Sequence, residues 1–297
     1  MREIVTRINS AIDSGEKIVV YGDYDADGVS AAQMREAGMK KDDCASRWAL
    51  GHPDFVRRQT ARFCKAGAGA VLAPTLAANR SALASLGLES RVRELNAGVL
   101  RLVAEGAGGL PVGARIGPSG IAFSYEEADC FDEIFAVYRE QIRILDEAGA
   151  SFLMIERQTS LADMRAAMLA ARSTDLPVFV TMTPDPFSDT DELLPPLITL
   201  QAMGAAVIGV DNLPVSDAQE RLRELFPHAE VPLAARLSAL QAASPEAYAE
   251  NAALLARAGA CVFGAGEGGT PAFTAALAAR CPAFPVPEPH EADCRAA

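Results

Sequence analysis

Apolar residues fall along this chain in two alternating patterns, short unbroken runs and longer stretches in which they recur every three or four positions. Eight short runs stand out: KIVVYG (17–22), AVLAPT (70–75), PVGARIG (111–117), SFLMIE (151–156), PVFVTMT (177–183), AAVIGVD (205–211), VPLAAR (231–236) and GACVFG (259–264). A run without polar alternation is what a strand covered on both faces shows. Between the runs, PDFVRRQTARFCKAG, SRVRELNAGVLRLVAEGAGG, FDEIFAVYREQIRILDEAG, SLADMRAAMLAAR, DELLPPLITLQAMG and SPEAYAENAALLARAG carry helical spacing. Several close on glycine, which accepts the left-handed conformation past a helix C-terminus. Ser160 and Ser244, each soon followed by an acidic residue, read as N-caps.

Strand–helix units repeating every roughly 30 to 40 residues predict the α/β class and a single (β/α)8 TIM barrel. An open doubly wound sheet would carry an early G-x-G-x-x-G turn, and the sequence has none. The barrel is expected over residues 1–281, followed by a proline-rich, polar and flexible tail over 282–297. At 297 residues the chain suits one such barrel, which commonly takes about 250.

Composition narrows the function. Half the residues are hydrophobic but only 6% are aromatic, so alanine, leucine and valine must build the core. Acidic residues exceed basic ones by 39 to 27, a net charge of −12, which opposes binding to a nucleic-acid backbone. The first residues are charged throughout and no run of about 18 apolar residues follows, so neither a secretory signal nor a membrane segment is expected and a cytoplasmic location is the default. Cys44, Cys64, Cys130, Cys261, Cys281 and Cys294 are scattered without a C-x-x-C pair, the pattern of free thiols.

In a β/α barrel the chemistry sits where strands end. Those positions are Asp23, Asp25 and Asp27 after the first run, then Thr75, Arg115, Glu156, Thr183, Asp185, Asp211, Asn212, Arg236, Gly266 and Glu267. Seven of these thirteen residues are acidic, enough to hold a hard cation or an ammonium group, or to share protons as acid and base. Asp25, Asp211 and Glu267 are the candidates for a divalent cation or acid–base work. The aspartates of GDYDADG equally suit a turn. Glu156 follows the buried run SFLMI directly, where a carboxylate is costly without a ligand or an arginine beside it. Arg115 and Arg236 are the alternatives to a ligand: they serve as its ion partners or as anion binders.

Taken in order, WALGHPDFVRRQTARFCKAGAGAVLAPTLAANR, LGLESRVRELNAGVLRL, IGPSG (116–120), YREQIRILDEAGASFLMIERQTSLADMRAAMLAAR, PVFVTMT and SPEAYAENAALLARAGACVFGAGEGGTP resemble the homocysteine S-methyltransferase family across nearly the whole chain. The resemblance implies a barrel that binds an amino-acid-like ligand at its strand ends. Glu156 stands where the family's glutamate helps hold the homocysteine amino group, and Asn79 and Arg80 match an asparagine–arginine pair after the second strand. Asp27 and Gly28 remain of D-G-x-M-G-T, but Val-Ser-Ala-Ala follows them. The implied ligand-binding set is Asp27, Gly28, Thr75, Asn79 and Glu156.

The family's zinc is held by one cysteine after the sixth strand and two adjacent cysteines after the eighth, where it keeps the substrate thiol as a thiolate. This sequence puts Asn212 at the first of those positions and Gly266 and Glu267 at the other two, so no zinc is expected. Cys64 and Cys261 fall inside a helix and a strand. Arg115 replaces the aspartate of the family's D-I-G-P-T-G, a reversal of charge.

The opening AIDSGEKIVVYGDYDADGVSA also resembles the start of the DHH phosphoesterases, including the RecJ-type exonuclease, whose aspartates bind manganese. That likeness ends near residue 31, and a chain whose histidines are only His52, His228 and His290 has no Asp-His-His motif, which excludes the nuclease. Three readings follow. The first is a zinc-independent methyltransferase barrel with an altered acceptor or donor, the donor a corrinoid, folate or onium group. The second is a non-catalytic scaffold partnering a corrinoid protein. The third is a lyase or hydrolase using a divalent cation held by the carboxylates.

Overall fold

The computed structural model describes residues 18–21, 34, 37–40, 42–124, 130–158, 160–183, 193–266 and 268–284. The fold is α/β. Strands β2 (Ala70–Ala73), β3 (Val112–Ile116), β4 (Phe152–Gln158), β5 (Val178–Met182), β6 (Val207–Asp211), β7 (Leu233–Leu237) and β8 (Ala260–Ala265) form a curled parallel sheet in chain order. The short β1 (Ile18–Tyr21) pairs in parallel with β2 through Val20 and Ala70, and with β8 through Ile18 and Val262. Each unbroken apolar run coincides with a strand to within two residues.

The described helices are α1 (Ala45–Gly51), α2 (Pro53–Lys65), α3 (Arg80–Ala84), α4 (Val92–Gly106), α5 (Cys130–Ala148), α6 (Leu161–Ala171), α7 (Leu194–Ala202), α8 (Val215–Leu225), α9 (Pro245–Arg257) and α10 (Pro271–Arg280). Both expected N-caps form: Ser160 Oγ accepts from the Asp163 amide at 3.3 Å and Ser244 Oγ from the Ala247 amide at 3.2 Å. Helix spacing decides which faces are buried. Val56, Thr60 and Phe63 of α2 recur on one face and are buried, while Arg57 on the other reaches Glu105 in the exposed layer.

Strand alternation divides the interior in two. One set of side chains, among them Leu153, Ile155, Val178, Val180, Ala235 and Leu237, packs outward against the helices. The other set, Ala70, Leu72, Phe152, Met154, Phe179, Val207, Ala234 and Val262, packs on the inner face of the sheet. Phe152 and Phe179 meet there with ring centroids 4.9 Å apart. Gly113 makes this possible, because a Cβ on it would overlap the Phe152 ring and come within 2.7 Å of Leu72 Cδ2. Fully burying one such phenylalanine contributes about 1.5–3 kcal/mol.

One side chain past residue 281 is packed against the strands. Phe284 is buried and meets Phe263 edge-on at 5.2 Å, so its side chain belongs to the core. The aromatic side chain at the end of this proline-containing stretch is apolar enough to dock. The rest of the expected tail, 285–297, lies outside the described residues. Among the described residues, no helix is long and apolar enough to cross a membrane.

Candidate functional site

The inner alternation continues upward from the apolar layer and sets the chemistry at the strand ends. Two residues beyond Phe152 and Met154 on β4 stands Glu156, and two beyond Ala234 on β7 stands Arg236. Val207 and Gly209 on β6 lead in the same way to Asp211, Gly113 on β3 to Arg115, and Phe179 on β5 to Thr181. Sequence alternation alone thus stacks a polar layer on an apolar one.

Among the described residues, this layer brings together a quartet of two guanidiniums and two carboxylates. Arg115 Nε donates to Glu156 Oε1, and Arg236 Nη1 contacts Glu156 Oε2. The same Arg236 nitrogen lies 3.4 Å from Asp211 Oδ2, so Arg236 bridges the two carboxylates. All four are buried, with Arg236 the most exposed at 5%. Guanidiniums set against carboxylates are the arrangement in which buried ions persist away from water. Arg115 and Arg236 are therefore the ion partners of Glu156. Below the quartet only about 10 Å³ remains open, lined by Met154, Phe179, Ala234, Arg236, Val262, Phe263 and Gly264, about enough for a single water. Thr181 Oγ, fully buried on the same inner face, has no hydrogen-bond partner.

The backbone at these strand ends is unusual in two places. Arg157 has φ +57° directly after Glu156, and the β4–β5 register shifts between Ile155 and Gln158. A left-handed residue in a strand re-aims its neighbours and persists only where the surroundings hold it. Asn212 has φ +53°, its amide donates to Arg236 O at 2.8 Å, and its Oδ1 occupies the place where a Cβ on Gly266 would stand. Gly266 in turn donates its amide to Leu237 O at 2.7 Å. Two of the three positions that the resemblance makes zinc ligands are thus neighbours. They present a carboxamide and a hydrogen atom, neither of them a thiolate, and do not fit zinc. Glu267 lies outside the described residues, as do Asp23, Asp25, Asp27, Gly28 and Asp185. Among the described residues, no three His, Cys, Asp or Glu side chains come together as a metal-binding group.

Thr75 and Asn79 commit their side chains to the protein. Thr75 Oγ1 donates to Arg115 O at 2.8 Å and accepts from the Arg115 amide at 2.9 Å, clipping the end of β2 to β3. Asn79 Oδ1 caps α3 by accepting from the Ala82 amide at 2.8 Å, while its Nδ2 donates to Pro118 O at 3.0 Å. Arg80 pairs with Glu140 in the exposed layer. Thr183 Oγ1 donates to Asp211 O at 3.2 Å.

A buried polar network under the IGPSG turn went unread in the sequence. Tyr138 donates to Asp163 Oδ2 at 2.8 Å and lies 3.2 Å from Gly117 O, Gln158 Nε2 donates to Tyr138 Oη at 3.2 Å, and the Ser119 amide donates to Asp163 Oδ2 at 3.0 Å. Burial and the Asp163 carboxylate hold the Tyr138 hydroxyl well above the ordinary tyrosine range. A second cluster joins Gln141 Nε2 to Thr75 O at 2.8 Å and to Asn96 Oδ1 at 3.1 Å. Apart from the IGPSG string itself, only the polar residues on the inner faces of α4 and α5 signalled these struts. Burial also raises the pKa of Cys64, which sits in α2, and Cys261 lies within β8.

A surface groove of about 520 Å³ opens among the outer helices, lined by Arg80, Glu89, Arg93, Arg139 and Glu140 among others. Its position in the helical layer separates it from the strand ends, where barrel chemistry is located.

Comparison with known proteins bears on the family and the fold. Residues 26–281 match the family model described as Homocysteine S-methyltransferase. A curated relative, the S-methylmethionine--homocysteine S-methyltransferase BHMT2 of Pongo abelii, is 25% identical over 209 residues, 67% of this chain. The match covers 53% of that protein, so the chain spans about half the length of the curated relative. The homocysteine methyltransferase MmuM of Escherichia coli superposes with a TM-score of 0.75 in its oxidised form, at 20% identity over 89% of this chain and 96% of that one. Its metallated form gives 0.75 at 19% identity over the same shares. At this identity the structures speak for the fold.

Proposed function

The chain belongs to the homocysteine S-methyltransferase family, and from that membership we propose that it is a methyltransferase barrel that binds an amino-acid-like ligand at its strand ends without zinc. We read the sheet as the closed eight-stranded (β/α)8 barrel of that family, with β1 bridging β2 and β8. The observation that carries the zinc-free reading is the Asn212 carboxamide packed over Gly266, at two of the three positions where the family has cysteines. Without that thiolate set, the chain lacks the device that keeps a substrate thiol ionised near neutral pH. An altered methyl acceptor or donor follows. The name of the orangutan relative specifies a sulfonium donor and a thiol acceptor for that protein. Here an onium, corrinoid or folate group is the candidate donor, and a corrinoid protein a candidate partner.

In such a transfer the bond from methyl carbon to donor breaks as the bond to the acceptor forms, and the acceptor's proton leaves. Glu156, Asp211, Arg115 and Arg236 bind and orient the ligand's polar end in this reading, while Thr75 and Asn79 hold the β2 and β3 ends that shape the mouth. None of them is assigned as a catalytic base. The guanidiniums already held by Glu156 and Asp211 weigh against a divalent cation between these carboxylates.

Elemental analysis of the purified full chain, combined with thermal-shift measurement against thioether and thiol amino acids, tests the proposal. The expected result is zinc far below one atom per chain and a rise in Tm with an amino-acid ligand. One tightly held zinc per chain overturns the zinc-free reading, and no Tm response to any such ligand overturns the amino-acid pocket.

A further inference from the structure

We propose that Tyr138 and Asp163 are positioning residues for the strand-end site: from the helical layer they grip the chain just past Arg115 and just past Glu156, and so fix the geometry of that buried ion pair. The inference rests on the strand ends being the ligand site, as proposed above, and adds the device that sets their shape. It starts from a break in alternation. Side chains two apart on a strand share a face, so Gln158 should point into the barrel as Glu156 does. Instead its Nε2 donates to Tyr138 Oη at 3.2 Å, and Tyr138 belongs to the outward core between sheet and helices. Ile155 pairs with Val180 and Gln158 with Met182, so Glu156 and Arg157 together stand opposite Thr181. This is a bulge, with Arg157 at φ +57° inside it, and a bulge re-aims the side chains beyond it. Met182, opposite Gln158, is likewise in the outward core. Glu156 keeps its hold on Arg115 while Gln158 is handed to α5.

The same hydroxyl serves the neighbouring strand. Tyr138 Oη donates to Asp163 Oδ2 at 2.8 Å and lies 3.2 Å from Gly117 O, and the Ser119 amide donates to Asp163 Oδ2 at 3.0 Å. Gly117 is two residues past Arg115, as Gln158 is two past Glu156. Strands β3 and β4 are adjacent, with Ile116 level with Ile155. One tyrosine–carboxylate pair therefore holds both segments that carry the partners of the ion pair. Tyr138, Gln158, Ser119 and Asp163 are all buried, where a lost hydrogen bond leaves an unsatisfied group instead of a hydrated one. A site keeps its geometry when the residues around it are locked in this way.

Hydrogen exchange of the Arg115 Nε–H, followed by NMR on the full chain with isotope-labelled arginine, tests this without a ligand. Gln158→Ala and Tyr138→Phe cut the grip at its two ends. Each is expected to speed exchange at Arg115 Nε at least about tenfold more than at the amides of Ala252 and Leu255 in α9, which report the stability of the whole. An equal change at all three positions is a loss of overall stability and overturns the proposal, as does no change at Arg115. On the unaltered protein in low urea, the Ser119 amide, held by Asp163, and the Arg115 Nε–H, held by Glu156, are expected to open as one unit. Their common urea slope should lie below that of the α9 amides. Any other order overturns the proposal even where neither variant folds. No ligand enters these measurements, so failure of the positioning is told apart from failure of the amino-acid-like pocket, which the Tm response reads.

Discussion

Asn212 and Gly266 share one space: a methyl group on Gly266 would overlap Asn212 Oδ1 and stand 3.2 Å from the Leu237 carbonyl oxygen. The left-handed backbone of Asn212, with φ +53°, aims its carboxamide there, and asparagine tolerates that conformation better than most residues. One position is therefore small because the other is occupied.

Gly266→Ala is expected to destabilise the protein by about 1–3 kcal/mol, the usual range for overpacking a filled site. Asn212→Gly removes the side chain that is in the way and suits the positive φ. The double variant should recover at least about 1 kcal/mol of the loss, a coupling typical of residues in contact. Denaturant unfolding of the four proteins reads this directly. Simple additivity of the two changes would show that the space is not shared.

The buried quartet predicts a different pattern. Glu156→Gln removes the carboxylate that contacts both Arg115 and Arg236, and breaking one side of a buried pair costs about 3–5 kcal/mol. Adding Arg115→Gln removes the guanidinium that Glu156 held, so the double variant should be more stable than Glu156→Gln alone. Urea midpoints at constant m-value check the order. A double variant less stable than the single one would mean that hydrogen-bond geometry, not the Arg115 charge, dominates this layer.

The fold was legible because strands buried on both faces leave unbroken apolar runs, and Ser160 and Ser244 mark two helix starts by the caps they form. Glu156 was legible as a costly carboxylate at the end of such a run, and its pairing with Arg115 or Arg236 as one of the alternatives. What the sequence left open is which of these partners hold it, since that depends on strands meeting across the sheet. Arg157 looks ordinary in sequence, and its positive φ coincides with the shifted β4–β5 register. The match of Asn212 to Gly266 joins residues just past β6 and β8, which the sheet brings together across β7. Tyr138 and Asp163 sit 25 residues apart on separate helices, and no local pattern announces their contact. Asp25, Asp27, Gly28 and Glu267 remain expectations, being outside the described residues.

Tyr138 provides a prediction in pH. Its hydroxyl donates to Asp163 and accepts from Gln158, and burial and the nearby carboxylate raise its pKa above the ordinary tyrosine value. Below about pH 10, an unperturbed tyrosine is protonated in both the folded and unfolded chain, so this group adds no pH dependence there. As pH rises past that point, the unfolded chain releases the proton and the folded chain keeps it. The stability that Tyr138 contributes is thus fully present below pH about 10 and is lost above it, at up to about 1.4 kcal/mol per pH unit. Tyr138→Phe removes the hydrogen bonds at a cost of about 1–2 kcal/mol at pH 8. It also removes the proton linkage, so the gap between the two proteins should shrink by about 1 kcal/mol from pH 10 to pH 11. Unfolding curves for both proteins at pH 8, 10 and 11 measure that gap. The difference between the curves cancels the titration of every other lysine and tyrosine. A gap that stays constant with pH would place the Tyr138 proton in the same state whether the chain is folded or not, and the strut beneath the IGPSG turn would then be held by packing alone.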